Sequence, residues 1–166
     1  MLVPAAVCFA ALKEGDTAPA FTLPHLMDGS KRLKIGEYIG EDAPQKKKAV
    51  IISFFASYCK PCILELPELE KLFNKYKDQG LLVVDINIDQ ANQDKVKEII
   101  TKANLSFPVL TDRFTVLVRN YGATQLPKMF IMDGNGSIQM VNAGYSEEIF
   151  KKVEAKVITL LGLKPQ

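Results

Sequence analysis

The chain has 166 residues, of which 48% are hydrophobic and 24% are charged, and its formal net charge is +2. This length suits one domain with a sizeable core, and the near-neutral charge gives no reason to expect a nucleic-acid partner. Three cysteines are too few for a disulfide scaffold, so a close pair of them is expected to be catalytic or metal-binding.

Residues 1–12 are an apolar N-terminal segment that includes Cys8. The apolar stretch is too short to cross a bilayer as a helix, and it resembles the apolar part of a secretory signal without a basic leading segment. Two interpretations stay open: the remainder of an export signal or anchor, and an arm packed on the mature protein. Residues 13–166 are expected to form a single domain.

The first part of that domain predicts a β-hairpin. Residues 20–23 form a short apolar strand pattern after turn residues at 14–19. Asp28-Gly29-Ser30 is typical of a hairpin turn and leads to a second strand pattern at 33–35.

Two thiols separated by two residues lie where a predicted strand passes into a predicted helix. Residues 49–55 are an apolar run rich in β-branched and aromatic residues, as in a buried strand. Residues 64–79 carry apolar side chains three and four apart, as on one helical face. Cys59 and Cys62 therefore lie at a helix N-terminus, where unpaired N–H groups and the helix dipole favour a thiolate. The two-residue gap lets Cys62 attack a mixed disulfide formed at Cys59.

The remaining segments alternate between strand and helix patterns, which implies a parallel βαβ unit. In chain order they are a strand at 81–88, a helix at 94–103, an extended piece at 107–110, a short helix at 113–121, an antiparallel hairpin of strands at 128–132 and 137–141 around the turn 133–136, and a closing helix at 147–161.

In this order the segments resemble the thioredoxin fold, and within it the TlpA/ResA-like group of thiol-disulfide oxidoreductases, which is related to the AhpC/TSA proteins. The resemblance rests on the opening at 15–19, the segment Phe54–Cys62, Pro67 in the helix, and Leu126-Pro127 before the hairpin. It implies an α/β fold, a three-layer sandwich with a central mixed β-sheet and helices on both faces. An extra N-terminal β-hairpin and a central insertion are expected additions to that fold.

The resemblance also implies roles for the residues around the pair. Cys59 is expected to attack and Cys62 to resolve, with no cofactor beyond their redox-active disulfide. Ser53 stands where thioredoxin has a buried aspartate, so Glu65, three residues after Cys62, is assigned the proton-handling role. The open alternative for Glu65 is an exposed side chain that the helix dipole favours.

The proline near the hairpin and the residues beside the cysteines are expected to shape a substrate groove. Pro127 is expected to follow a cis peptide bond and to face the cysteines, so that the backbone of Leu126 pairs with an extended substrate segment. Tyr58, Lys60 and Pro61 are expected to line the same groove. Tyr58 stands where the group usually has tryptophan, so the substrate preference of the group is not carried over.

The implied function is the reduction of disulfides in selected exported proteins such as apocytochrome c. The expected partners are protein substrates and a thiol electron donor, either soluble or membrane-bound, and the expected state is a monomer. The expected location is periplasmic or otherwise extracytoplasmic, with tethering through the N-terminus as one option. Two alternatives stay open: a peroxiredoxin-like peroxidase, although no arginine or threonine flanks the pair, and a copper carrier, for which His25 is the sole histidine.

Overall fold

The computed structural model describes residues 11–164, so residues 1–10 of the predicted N-terminal segment, with Cys8, lie outside the described residues. None of the helices within 11–164 is both long and apolar enough to cross a membrane. The elements follow in the order β1 (Thr22–Pro24), β2 (Arg32–Lys34), β3 (Ala49–Phe55), α1 (Lys60–Tyr76), β4 (Leu81–Asn87), α2 (Gln93–Ala103), β5 (Val109–Thr111), α3 (Val116–Tyr121), β6 (Lys128–Asp133), β7 (Ile138–Ala143) and α4 (Glu147–Leu161).

Five of the strands form one mixed sheet in the order β5-β4-β3-β6-β7. Strand β3 runs parallel to β4 and antiparallel to β6. Strands β4 and β5 are parallel, while β6 and β7 form the antiparallel hairpin. Strands β1 and β2 pair with each other in a separate antiparallel hairpin. The predicted mixed sheet with an extra N-terminal hairpin is therefore confirmed.

The sheet separates two apolar layers because successive side chains of a strand point to opposite faces. On β3, Ala49, Ile51 and Phe55 join the cluster that contains the buried faces of α1, α2 and α4. Val50, Ile52 and Phe54 join the cluster on the other face, which includes Leu117 and Tyr121 of α3. All seven residues of β3 are buried, which explains why the strand is a continuous apolar run and not an alternating one.

Two helices begin three or more residues away from the predicted start. Helix α1 begins at Lys60 and not at residue 64, because Cys59 caps it and Pro61 fits its first turn. Helix α3 begins at Val116 and not at residue 113, because the carboxylate of Asp112 accepts hydrogen bonds from N–H groups of its first turn. The CxxC pair thus lies at the start of α1 itself.

Candidate active site

The cysteine pair lies at the carboxyl end of β3 and the amino end of α1. Cys59 and Cys62 form a disulfide with an S–S distance of 2.08 Å. Cys59 is 8% exposed and Cys62 is 1% exposed, so Cys59 is the more accessible of the two. The Cys62 N–H donates a hydrogen bond to the Cys59 sulfur at 3.2 Å. A backbone donor of this kind stabilises a thiolate on Cys59 once the disulfide is reduced.

Glu65 is buried directly after the pair, one helical turn along α1. Only 2% of the residue is exposed, so it is not the exposed glutamate of the alternative interpretation. The Ser53 hydroxyl of β3 donates a hydrogen bond to Glu65 Oε2 at 3.1 Å. Burial raises the pKa of Glu65 to about 7, and the hydrogen bond from Ser53 offsets part of that rise. The carboxyl group can therefore take up or release a proton near neutral pH.

Asp85 is a second buried carboxyl group, and the sequence analysis did not identify it. It lies on β4 directly opposite Ser53 and is 1% exposed. Its Oδ1 accepts a hydrogen bond from the Ile86 N–H at 3.1 Å, while Oδ2 has no hydrogen-bond partner. Burial, and then the charge of Glu65, raises the pKa of Asp85 well above its ordinary value. In the sequence, Asp85 is marked only as one acidic residue inside a mainly apolar strand.

A hydrogen bond fixes the segment that leads into Cys59. The Ser57 hydroxyl donates to Asp89 Oδ2, and both residues are buried. The Asn92 N–H donates to Asp89 Oδ1 at 3.1 Å. Burial opposes ionisation of Asp89, but the hydrogen bonds from Ser57 and Asn92 outweigh it and lower the pKa. The sequence analysis missed this link, although the carboxyl ends of the parallel strands β3 and β4 meet at one edge of the sheet.

Replacing Ser57 by alanine should lower the free energy of unfolding by about 2 kcal/mol, because a buried ionised carboxylate loses a hydrogen-bond donor. Urea unfolding followed by circular dichroism measures the change. The matched control is Ser30→Ala, whose hydroxyl bonds the exposed Asp28, and its effect should stay within about 0.5 kcal/mol. Equal losses for the two variants would contradict a fixing role for Ser57.

The Leu126–Pro127 peptide bond is cis. Lys128 pairs with Phe54 of β3, so Leu126 and Pro127 lie at the edge of the sheet where β3 runs into the cysteines. Pro127 is buried, and its carbonyl accepts a hydrogen bond from the Gly144 N–H at 2.9 Å. Leu126 is partly exposed, and within residues 11–164 its N–H and C=O take part in no hydrogen bond. Both groups therefore lack a backbone partner within this part of the chain.

Exposed apolar side chains flank the cysteine pair in the chain and form an apolar rim. Tyr58 is 67% exposed and Leu64, which the sequence analysis did not single out, is 63% exposed. Lys60 and Pro61 are also exposed, between the two cysteines. Exposed apolar side chains beside a reactive sulfur suit contact with another protein.

His25 lies away from this site in the order of the sheet. It forms a bridge with Leu110 of β5, and β5 is separated from β3 by β4. Across residues 11–164 no group of three or more His, Cys, Asp or Glu side chains is arranged to hold a metal ion. This part of the chain gives the copper-carrier alternative no support.

Comparisons with known proteins agree with this geometry. The family model described as AhpC/TSA matches residues 14–141. The thiol-disulfide oxidoreductase ResA of Geobacillus kaustophilus is 30% identical over 147 residues, which cover 87% of this chain and 79% of the relative. The ResA of Geobacillus thermodenitrificans is 31% identical over 134 residues, which cover 81% of this chain and 71% of the relative.

Solved structures share the fold. A protein from Chlorobium tepidum assigned as the thiol:disulfide interchange protein DsbE is 28% identical with a TM-score of 0.79, and the match covers 92% of this chain and 100% of that one. StoA from Bacillus subtilis has a TM-score of 0.67 at 20% identity, covering 84% of this chain and 97% of StoA, and supports the fold alone.

Proposed function

This chain belongs to the AhpC/TSA family and is a thiol-disulfide oxidoreductase, and from that premise we propose that it reduces disulfides in selected exported proteins through Cys59 and Cys62. The observation that carries the proposal is the disulfide at the N-terminus of α1, with Cys59 8% exposed and Cys62 only 1% exposed. A couple with one accessible and one enclosed sulfur suits attack by the first cysteine and resolution by the second.

Reduction of a substrate proceeds in two exchanges. The Cys59 thiolate attacks one sulfur of the substrate disulfide, so a mixed disulfide forms, the substrate S–S bond breaks, and the departing substrate thiolate takes up a proton. The Cys62 thiolate then attacks the Cys59 sulfur, which closes the Cys59–Cys62 disulfide and releases the second substrate thiolate to take up another proton. Two electrons and two protons pass from the protein dithiol to the substrate, and a thiol donor restores the dithiol.

Glu65 is the proposed acceptor of the Cys62 proton. It lies three residues after Cys62, so both residues belong to the same side of α1. Both are buried, so bulk water has little access to either group. A carboxyl group with a pKa of about 7 is basic enough to accept that proton and acidic enough to return it at neutral pH.

The open backbone of Leu126 and the rim around Cys59 form the proposed substrate groove. An extended substrate segment adds beside Leu126 through main-chain hydrogen bonds, and Tyr58 and Leu64 contact its apolar side chains. The resemblance to the ResA-like group supports the haem-binding cysteines of apocytochrome c as the substrate. It also supports a monomeric protein in an extracytoplasmic compartment, with residues 1–12 as the export signal or tether.

Replacing Cys62 by serine should trap the substrate as a mixed disulfide on Cys59, because the resolving thiol is absent. The captured partners are identified by mass spectrometry after incubation of the reduced variant with native extract, and a cytochrome c precursor is the expected one. The double variant Cys59→Ser/Cys62→Ser is the control and should capture nothing. A broad set of partners would contradict substrate selection, and capture by the double variant would contradict attack by Cys59.

A further inference from the structure

We propose that Asp85 is a positioning residue of this redox site, which forms with Glu65 a buried carboxyl pair that holds one proton behind the Cys59–Cys62 couple. Asp85 acts on the sulfur chemistry through Glu65 and does not itself contact the substrate. This inference rests on the proposed function of Glu65 as the acceptor of the Cys62 proton.

Ser53 relates the two carboxyl groups: Asp85 is its partner in the sheet register, and Glu65 accepts the hydrogen bond of its hydroxyl. Ser53 lies opposite Asp85 in the β3–β4 ladder, and the Ser53 hydroxyl donates to Glu65. Leu81 and Val83 of β4 belong to the apolar cluster of the α1 side. Side chains alternate along a strand, so Asp85 shares the face of these two residues. Both carboxyl groups therefore lie in the layer between the sheet and α1.

The surroundings of Asp85 favour a neutral carboxyl group. Oδ2 has no hydrogen-bond partner, and an ionised oxygen in that position would lack any compensation for its lost hydration. The residue that pairs with Asp85 on β5 is Val109, which is buried. The side chains that α2 buries in the same layer, Val96 and Ile100, are also apolar. When Glu65 is ionised, its negative charge opposes ionisation of Asp85 further.

The titratable groups around the pair do not supply a positive charge. The hydroxyl of Ser53 donates to the pair from β3, and on α1 the cysteines Cys59 and Cys62 belong to the apolar cluster of the same layer. Tyr145, in the loop before α4, has its pKa raised by burial and then by neighbouring acidic charges, with Glu65 among them. Within residues 11–164 neither carboxyl group accepts a hydrogen bond or salt bridge from Lys, Arg or His. One proton on the pair therefore limits its negative charge to one while the disulfide is intact.

That proton has a use when a donor reduces the disulfide. The donor thiolate attacks the Cys59 sulfur and forms a mixed disulfide with it, while the Cys59–Cys62 bond breaks and leaves its electron pair on the buried Cys62 sulfur, which then needs a proton. Protonated Glu65 supplies it below its pKa of about 7. Above that pKa, the proton held on Asp85 passes to the Cys62 sulfur through Glu65. The second thiol of the donor then attacks the donor sulfur of the mixed disulfide, which closes the donor disulfide and releases the Cys59 thiolate, and the proton of that second thiol restores the pair. Asp85 thus extends proton supply to alkaline pH.

Infrared spectroscopy tests the pair directly, because a protonated carboxyl group has a distinct C=O band. About one and a half pH units above the pKa of Glu65, wild-type protein should keep a band from one buried protonated carboxyl group. Asp85→Asn should lose the band, whereas Asp112→Asn, at another buried aspartate, should keep it. Glu65→Gln should keep the band but lower its titration midpoint, because the opposing charge of Glu65 is gone.

The rate of reduction by dithiothreitol supplies a second readout. At the same alkaline pH, Asp85→Asn should be reduced about tenfold more slowly than wild type, the effect of about one pKa unit in proton supply. About one unit below the pKa of Glu65 the two rates should agree. An equal loss at both pH values would indicate a merely structural role and overturn the proposal.

Three infrared results would also overturn the proposal: no band in wild type, a band that survives Asp85→Asn, and an unchanged titration midpoint in Glu65→Gln. The last of these decides the matter even if Asp85→Asn fails to fold. None of the infrared measurements depends on turnover. A protein that keeps the band but exchanges no disulfide with substrates would refute the proposed function and leave the carboxyl pair standing.

Discussion

Replacing Cys59 by serine should abolish disulfide exchange, with a loss of rate on the order of a thousandfold or more. Cys59 is the more accessible cysteine of the couple, and the Cys62 N–H donates a hydrogen bond to its sulfur. A serine hydroxyl stays protonated near neutral pH and cannot form a mixed disulfide. The rate is measured by following the reduction of a fluorogenic disulfide by the pre-reduced protein.

Two further serine variants make this result specific. Cys8→Ser removes the third thiol of the chain and should leave the exchange rate unchanged. Cys62→Ser should keep the first attack, visible as one stoichiometric burst, and lose the second. If Cys59→Ser gave the burst and Cys62→Ser did not, the proposed order of attack and resolution would be reversed.

Replacing Glu65 by glutamine should raise the free energy of unfolding above neutral pH by about 3 kcal/mol. The same substitution should slow thiol-disulfide exchange. Burial raises the pKa of the Glu65 carboxyl group to about 7 in the folded protein, against an ordinary pKa of 4.5. At every pH above the unfolded-state pKa of 4.5, folding therefore has to keep a proton on Glu65 or bury its negative charge. Glutamine fills the same space and stays neutral, so the penalty disappears.

The pH dependence of this gain follows from linkage. Below pH 4.5 the folded and unfolded states both hold the proton, and Glu65 does not change the free energy of unfolding. Between pH 4.5 and about pH 7 the unfolded chain binds fewer protons than the folded one, so the free energy of unfolding falls as the pH rises. Above about pH 7 the full loss of stability is present. The gain from Glu65→Gln should therefore appear across that window and be near zero at its acidic end.

Urea unfolding at a series of pH values measures the gain. The matched control is Glu98→Gln on α2, an exposed residue paired with Lys102, which should change stability by less than about 0.5 kcal/mol at any pH. A stability difference that does not vary with pH would contradict the raised pKa of Glu65. An unchanged pH profile of the exchange rate would contradict its role as proton acceptor.

Local patterns predicted the parts of the fold that depend on neighbouring residues. Helix α4 runs over Glu147–Leu161 as its apolar spacing predicts, with the Ser146 hydroxyl accepting the Ile149 N–H and Gly162 in the left-handed conformation at its end. The β6–β7 hairpin surrounds its predicted turn. In each case the signal lies within a few residues, where caps, turns and periodicity act.

The residues that were missed depend on contacts distant in sequence. Asp85 meets Ser53 only through the register of two strands that a helix separates, and no local pattern fixes that register. Strand β4 is buried on both faces, so its sequence does not alternate and does not indicate which way Asp85 points. The Ser57–Asp89 hydrogen bond likewise requires the loops after β3 and β4 to lie side by side.

The position of β3 also determines how the redox site can move. The strand lies between two neighbours, all of its residues are buried, and it ends four residues before Cys59. We expect its amide protons to exchange with solvent only through opening of the whole domain, whereas sheet edges open by local fluctuation. The reactive sulfurs should thus be attached to one of the most slowly exchanging parts of the protein.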